Sequence, residues 1–140
     1  MRIMAIDYGD AHTGVALSDP TGFLVGATFT INSRHQDVVL NELFQLIEEH
    51  HPGEVVMGFP RNMDGTEGPR AQLYREFAAR LEKITGMEVI LWDERRTTID
   101  AHQILFNQGK DARKRKKIVD AVAASLILEN YLDFKRMKQE

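Results

Sequence analysis

Asp7 interrupts an otherwise apolar run, IMAIDYG (3–9). A carboxylate among apolar neighbours is costly unless a cation, a metal or hydrogen bonds compensate it. It could cap a strand-end turn, or it could serve chemistry, with Gly9 and Gly14 letting a backbone or phosphate approach closely. A second acid, Asp120, enters the last helical segment beside the apolar residues Val119, Val122, Ala123, Leu126 and Ile127, three and four residues beyond Lys117 and Lys116. A helix dipole alone would also favour an acid there. A third pair, Asp93 and Glu94, follows the apolar run MEVILW (87–92) and precedes Arg95 and Arg96. Local ion pairs explain that pattern at little energetic gain. So does a site in which one acid faces the reacting edge and the other turns away. Three carboxylates from separate elements can hold two divalent ions, which activate a water and stabilise the leaving oxygen of a phosphodiester. Magnesium, or manganese in its place, suits such an all-oxygen set.

The elements that must carry these acids are legible as a pattern. Residues 2–8, 13–18 and 23–31 read as three strands joined by short connections containing Gly9, Pro20 and Gly22, hence as successive antiparallel strands. From Asp37 to His50 the apolar spacing becomes helical (Val39, Leu40, Leu43, Phe44, Ile47), and Pro52 and Gly53 stop it. EVVMGF (54–59) reads as a buried strand. A Gly- and Pro-rich loop spans 60–69. Leu73, Phe77, Leu81 and Ile84 mark a second helix ending at Gly86, and 87–92 is another strand. Thr97 and Asp100 have capping-box spacing for a short helix closed by Gly109, and 118–132 forms the last helix, with Ala121, Ala123 and Ala124 small enough for close approach to a sheet. The order βββ-αβα-βαα predicts a single α/β domain over 1–140. Its five-stranded sheet is part antiparallel and part parallel, with helices on its faces.

Composition excludes several classes. With 43% hydrophobic and 28% charged residues in 140, the chain is neither disordered nor low-complexity. No cysteine means no disulfide scaffold, thiolate zinc site or thiol nucleophile, and fits a reducing, cytoplasmic setting. No apolar run is long enough for a membrane span, and the first ten residues do not read as a signal peptide. The net charge of −3 hides a block: KDARKRKK (110–117) carries +5 and the remainder −8. Such a block is either a solvated loop and helix start, or a patch that grips a phosphate backbone.

Four segments, DYGDAHTGVALSD (7–19), GFPRNMDGTEG (58–68), DERRTT (93–98) and RKRKKIVDAVAASLILENYLD (113–133), together resemble the YqgF, or RuvX, family, whose members are called pre-16S rRNA nucleases and, earlier, Holliday junction resolvases. The resemblance spans nearly the whole chain. It implies an RNase H-like fold of the RuvC type, sheet order 3-2-1-4-5, and a two-metal nuclease site. Asp7 matches the first-strand acid and Asp120 the last-helix acid. Glu94 is chosen as the acid between them, because strand five is not beside strand one and the longer side chain must reach; Asp93 and the loop residue Asp64 are its rivals. His12 stands where the family often has a basic residue. It is either a phosphate contact or a turn residue. Asn62, Gly65, Thr66 and Gly68 form a polar loop that holds substrate backbone or simply turns the chain. Arg95 is placed to contact phosphate or pin Glu94, Lys114, Arg115, Lys116 and Lys117 to grip a backbone, and Trp92 to fill the core.

The expected function is therefore a Mg²⁺- or Mn²⁺-dependent nuclease on pre-ribosomal RNA, maturing the 16S 5′ end. The same chemistry on four-way DNA is the first alternative, and a non-catalytic RNA-binding assembly factor is the second. A homodimer and association with a ribosomal particle are both compatible with it. An ATPase relative is a poor fit, because DYGDAHTGVA resembles a phosphate loop that works between two such domains and the chain holds one.

Overall fold

In the computed structural model, residues 1–62, 64–93 and 112–139 are described, with side chains from 121 to 138 in the last segment. The elements run β1 (Ile3–Asp7), β2 (His12–Ser18), β3 (Val25–Asn32), α1 (Gln36–His50), β4 (Glu54–Phe59), α2 (Pro69–Thr85), β5 (Val89–Asp93) and α3 (Ala112–Gln139). The strands form one sheet in the order β3-β2-β1-β4-β5. β1–β2 and β2–β3 pair antiparallel, whereas β1–β4 and β4–β5 pair parallel. This is the expected mixed sheet. The short helix expected between Thr97 and Gly109 lies outside the described residues.

Strand alternation assigns the two faces. Met4, Ile6, Val15, Leu17, Val55, Met57 and Val89 pack under α1 and α2. Ile3, Ala5, Ala16 and Val56 pack under α3, with Ile90 and Trp92 at the margin. Helices therefore cover both faces. The α3 seam is Ala123, Ala124, Ile127, Leu128, Tyr131 and Leu132. It is rotated from the expected stripe, leaving Val122 and Leu126 half-buried, because the two alanines let the helix approach the sheet where bulkier side chains would hold it off.

Several boundaries move for identifiable reasons. β3 starts at Val25, not Phe23. The Asp19 carboxylate takes the Phe23 and Leu24 amides at 2.8 and 3.2 Å, which bends those residues into an exposed loop. α2 starts at Pro69, whose fixed φ suits the first helical position. Its buried seam is Ala71, Tyr74, Phe77, Ala78 and Leu81, leaving Leu73 and Ile84 exposed. α1 ends on His51 at φ 51°, a left-handed position usually given to glycine, with its N–H on the Ile47 carbonyl. α3 begins at Ala112, so the backbone of the basic run 113–117 is helical rather than looped.

Candidate functional site at the carboxyl edge of the sheet

Asp7 is the last residue of β1, half-buried. It shares a face with Ile3 and Ala5, the face covered by α3. Its registered partner on β2 is Gly14, itself opposite Thr30 on β3. On the other side Ile6 pairs with Met57, so the next step along β4 sets Gly58 beside Asp7; Gly58 in turn pairs with Trp92. The row Thr30–Gly14–Asp7–Gly58–Trp92 thus crosses the whole sheet, with the carboxylate between two residues that have no side chain. At Gly9 the close approach is that of a backbone. A Cβ there would sit 2.3 Å from the His12 carbonyl oxygen, so the tight β1–β2 turn itself requires glycine.

Tyr8 fixes the end of β1 from the opposite face. Its ring stacks on Phe77 with centroids 3.9 Å apart and meets Tyr74 edge-on at 5.4 Å. The Tyr74 hydroxyl donates to the Tyr8 carbonyl at 2.6 Å. Neither tyrosine was singled out in the sequence; the signal was an aromatic beside Asp7 and another in the second helix.

Near the carboxyl end of α3 Tyr131 and Lys135 reach Glu54, and Glu54 is in register with Ile3 at the opposite end of β1 from Asp7. Tyr131 and Phe134 also meet Trp92, in the Asp7 row. Asp120 lies in the amino half of α3. The backbone of Lys114, Arg115, Lys116 and Lys117 lies in the turns before it. Glu94 and Arg95 lie outside the described residues. Asp93 ends β5 with the alternation of Val89 and Leu91, on the α1/α2 side and not on that of Asp7.

His12 opens β2 at this same edge, its Nδ1 2.7 Å from Asn32 Oδ1. That contact calls for the proton on Nδ1 and leaves Nε2 as the nitrogen for another partner. After β4, Asn62 closes a turn. Its N–H donates to the Thr66 carbonyl at 2.8 Å and its amide to Thr66 Oγ1 at 3.0 Å. Asp64 accepts from the Thr66 N–H and hydroxyl at 3.0 and 2.6 Å. Both side chains thus help to shape the loop. Arg75 braces it by a two-pronged contact with Glu67 at 2.9 and 3.0 Å. That guanidinium holds the Glu67 carboxyl below its ordinary range. Trp92 is half-buried against Tyr131 and Phe134, as a core margin and not a stacking platform.

Among the described residues no three His, Cys, Asp or Glu side chains cluster as a metal site. Of the three expected ligands only Asp7 has a described side chain. A hard carboxylate on a glycine-flanked floor fits an oxygen-preferring divalent cation. Among the described residues no helix is long and apolar enough to cross a membrane.

A family model described as "RuvX: Holliday junction resolvase" matches residues 1–134. A protein of Carboxydothermus hydrogenoformans named "Putative pre-16S rRNA nuclease" is 44% identical over 135 residues, covering 96% of this chain and 98% of that protein. One of the same name from Bacillus subtilis is 42% identical over 135 residues, covering 95% and 98%. In fold, the chain is similar to Thermus thermophilus RuvC in complex with a Holliday junction substrate, with a TM-score of 0.60 at 12% identity over 98% of this chain and 96% of that one. It is also similar to the Fowlpox virus resolvase bound to junction DNA, with a TM-score of 0.53 at 12% identity over 99% and 98%.

Proposed function

The chain belongs to the RuvX family, and from that premise we propose that it is a metal-dependent nuclease that hydrolyses phosphodiester bonds in 5′-end processing of the 16S ribosomal RNA precursor. One observation carries the reading: a strand-end carboxylate, Asp7, lies between Gly14 and Gly58 at the carboxyl edge of the sheet. A domain that only bound RNA would gain nothing from an acid set at the edge where phosphates must pass.

Asp7, Glu94 and Asp120 would hold Mg²⁺ or Mn²⁺, which when bound lowers the pKa of a water and offsets charge on the leaving oxygen. Two lines of support select this set. Asp120 belongs to the helix that covers the face of the sheet carrying Asp7. β5 ends with Asp93 on the face opposite Asp7, which argues against Asp93 as the middle acid. The chain's own contribution is positioning. Tyr8 and Tyr74 hold the end of β1, the short turn at Gly9 keeps Asp7 opposite Gly14, and His12 Nε2 is offered to a backbone phosphate. Asn62 shapes the loop that borders the strand path. Lys114, Arg115, Lys116, Lys117 and Arg95 supply positive charge to that path. Action on a ribosomal RNA precursor implies a cytoplasmic protein that meets the ribosomal particle.

The family description favours one second reading, cleavage of a four-way DNA junction. Symmetric cutting there would call for a two-fold dimer. The test compares the protein with Asp7→Asn, in Mg²⁺ or Mn²⁺, on RNA spanning the precursor 5′ end and on a four-way junction, with oligomeric state read by light scattering. Cutting of the RNA by the unaltered protein alone supports the proposal. Junction cutting alone, by a dimer, replaces it with the resolvase. Equal cutting by both proteins refutes the role of Asp7. Binding without cutting leaves an RNA-binding assembly factor.

A further inference from the structure

At the amino end of α2, on the other side of the sheet edge from α3, is a cavity of about 170 Å³ lined by Arg61, Asn62, Gly68 and Arg70 among others. We infer that this cavity is a subsite for a phosphodiester of the bound strand, away from the bond that is cut, with Arg61 and Arg70 as its ligands. The inference rests on the nuclease reading above.

Charge is the first argument. Neither guanidinium is within ion-pairing distance of a carboxylate among the described residues, whereas their neighbour Arg75 is neutralised by Glu67. Arg61 lies 5.6 Å from the Phe59 ring and donates to the Gly65 carbonyl at 3.3 Å. Arg70 lies 5.5 Å from the Tyr74 ring and donates to the Tyr74 hydroxyl at 2.9 Å. Each guanidinium has five donors, so most of the fork remains for an oxyanion. Two arginines without a direct ion pair among the described residues, lining one concavity in a chain of net charge −3, are set for an anion even though Arg61 also acts on Glu67 at longer range, and the planar fork matches a phosphate. The amino end of α2 has no side-chain cap, and its dipole favours an anion there.

Size and position narrow the anion to a strand. The cavity falls below the roughly 300–1,000 Å³ of a small-molecule site, so it suits a phosphate group and not a whole free nucleotide. It is coupled to the reacting edge. Arg70 bonds the Tyr74 hydroxyl, which bonds the carbonyl of Tyr8, the residue after Asp7. A strand crossing the edge at Asp7 would meet Arg61 and Arg70 on one side and the basic run of α3 on the other. The subsite would hold the strand's register without touching the reacting atoms.

The test measures binding by fluorescence anisotropy in EDTA, where nothing is cut, on labelled precursor 5′-end RNA and on a labelled four-way DNA junction, from 50 to 200 mM salt. The proteins are the unaltered chain, Arg61→Gln, Arg70→Gln and the two Lys replacements. Each Gln variant is expected to bind more weakly. Its log–log salt slope should be shallower by about 0.7 on single strands or about 0.9 on duplex, the value of one lost phosphate contact. The Lys variants should recover the slope. In Mg²⁺ the loss should fall on KM and not on kcat. Arg61 stands on an exposed loop, so Arg61→Gln reports even if Arg70→Gln melts early. Affinity and slope equal to those of the unaltered protein in both Gln variants would overturn the subsite while leaving the nuclease reading intact. An unaltered protein that neither binds nor cuts either substrate would overturn both.

Discussion

The carboxyl half of α3 is held to the start of β4 by one carboxylate. Glu54 accepts from the Tyr131 hydroxyl at 2.5 Å and from Lys135 Nζ at 2.6 Å. Tyr131 is buried, while Glu54 and Lys135 keep 23% and 28% of their side chains exposed, so the cluster is shielded far more than a surface pair. Burial by itself would raise the Glu54 carboxyl, but the Lys135 and Tyr131 hydrogen bonds outweigh it and hold the group below its ordinary value. Burial, then the bond to Glu54, pushes the Tyr131 phenol well above its ordinary value of 10.0. Tyr131→Phe removes one hydrogen bond to a charged acceptor and keeps the ring. The expected loss is about 1.5–3 kcal/mol at pH 7. The sign follows from linkage. Glu54 is depressed in the folded state, so its contribution is complete above its unfolded value near 4.5 and fades as pH falls through the folded value. Tyr131 is raised, so its contribution is complete below 10 and is lost above it. Urea melts of the unaltered chain, Tyr131→Phe, Glu54→Gln and the double variant at pH 7 and pH 3 would measure the coupling. The difference caused by Tyr131→Phe should shrink at pH 3. A loss equal at both pH values, or a coupling near zero at pH 7, would refute the carboxylate account. The clasp is at the far end of the sheet from Asp7, so cleavage well below the melting temperature should persist in Tyr131→Phe.

Ile127→Ala empties a fully buried position between α3 and the sheet and should cost about 2–5 kcal/mol in a urea melt; under 1 kcal/mol would mean that α3 does not pack as described. In Gly9→Ala the new Cβ collides with the His12 carbonyl oxygen, and the turn that sets Asp7 opposite Gly14 must shift. Stability should fall by about 1–3 kcal/mol, and cleavage should fall further than unfolding explains; unchanged melting and turnover would show that the turn tolerates a side chain. The Asp19 carboxyl is brought down from 3.8 to about 2 by the Thr21 hydroxyl first and then by the Phe23 and Leu24 amides. A carbon-detected NMR titration should find its midpoint there, and stability from this loop should fade as pH drops from about 4 toward 2. Asp19→Asn should speed hydrogen exchange at the Phe23 and Leu24 amides, and a midpoint near 4 would contradict the bonds.

The alternation of apolar residues and the turn residues between them were enough to read the order of elements along the chain and the mixed sheet, because a strand's period of two and a helix's period near 3.6 are local properties; the order of strands across the sheet came from the family resemblance. The acids were visible for the same local reason: Asp7 breaks an apolar run, and Glu94 follows one. Which helix face turns inward was not local. Tyr74 rather than Leu73 enters the core because its hydroxyl has the Tyr8 carbonyl to reach, and Ala124 rather than Val122 because α3 lies close to the sheet. The glycine row beside Asp7 exists only through strand register, since Gly14 and Gly58 lie 44 residues apart in the chain. Arg61 and Arg70 looked like two cations among 18. Only the packing of α2 against the end of β4 put them on one cavity. Residue type and period are written along the chain, whereas register, seam and the pairing of charges depend on which distant residues arrive, and tertiary structure alone decides that.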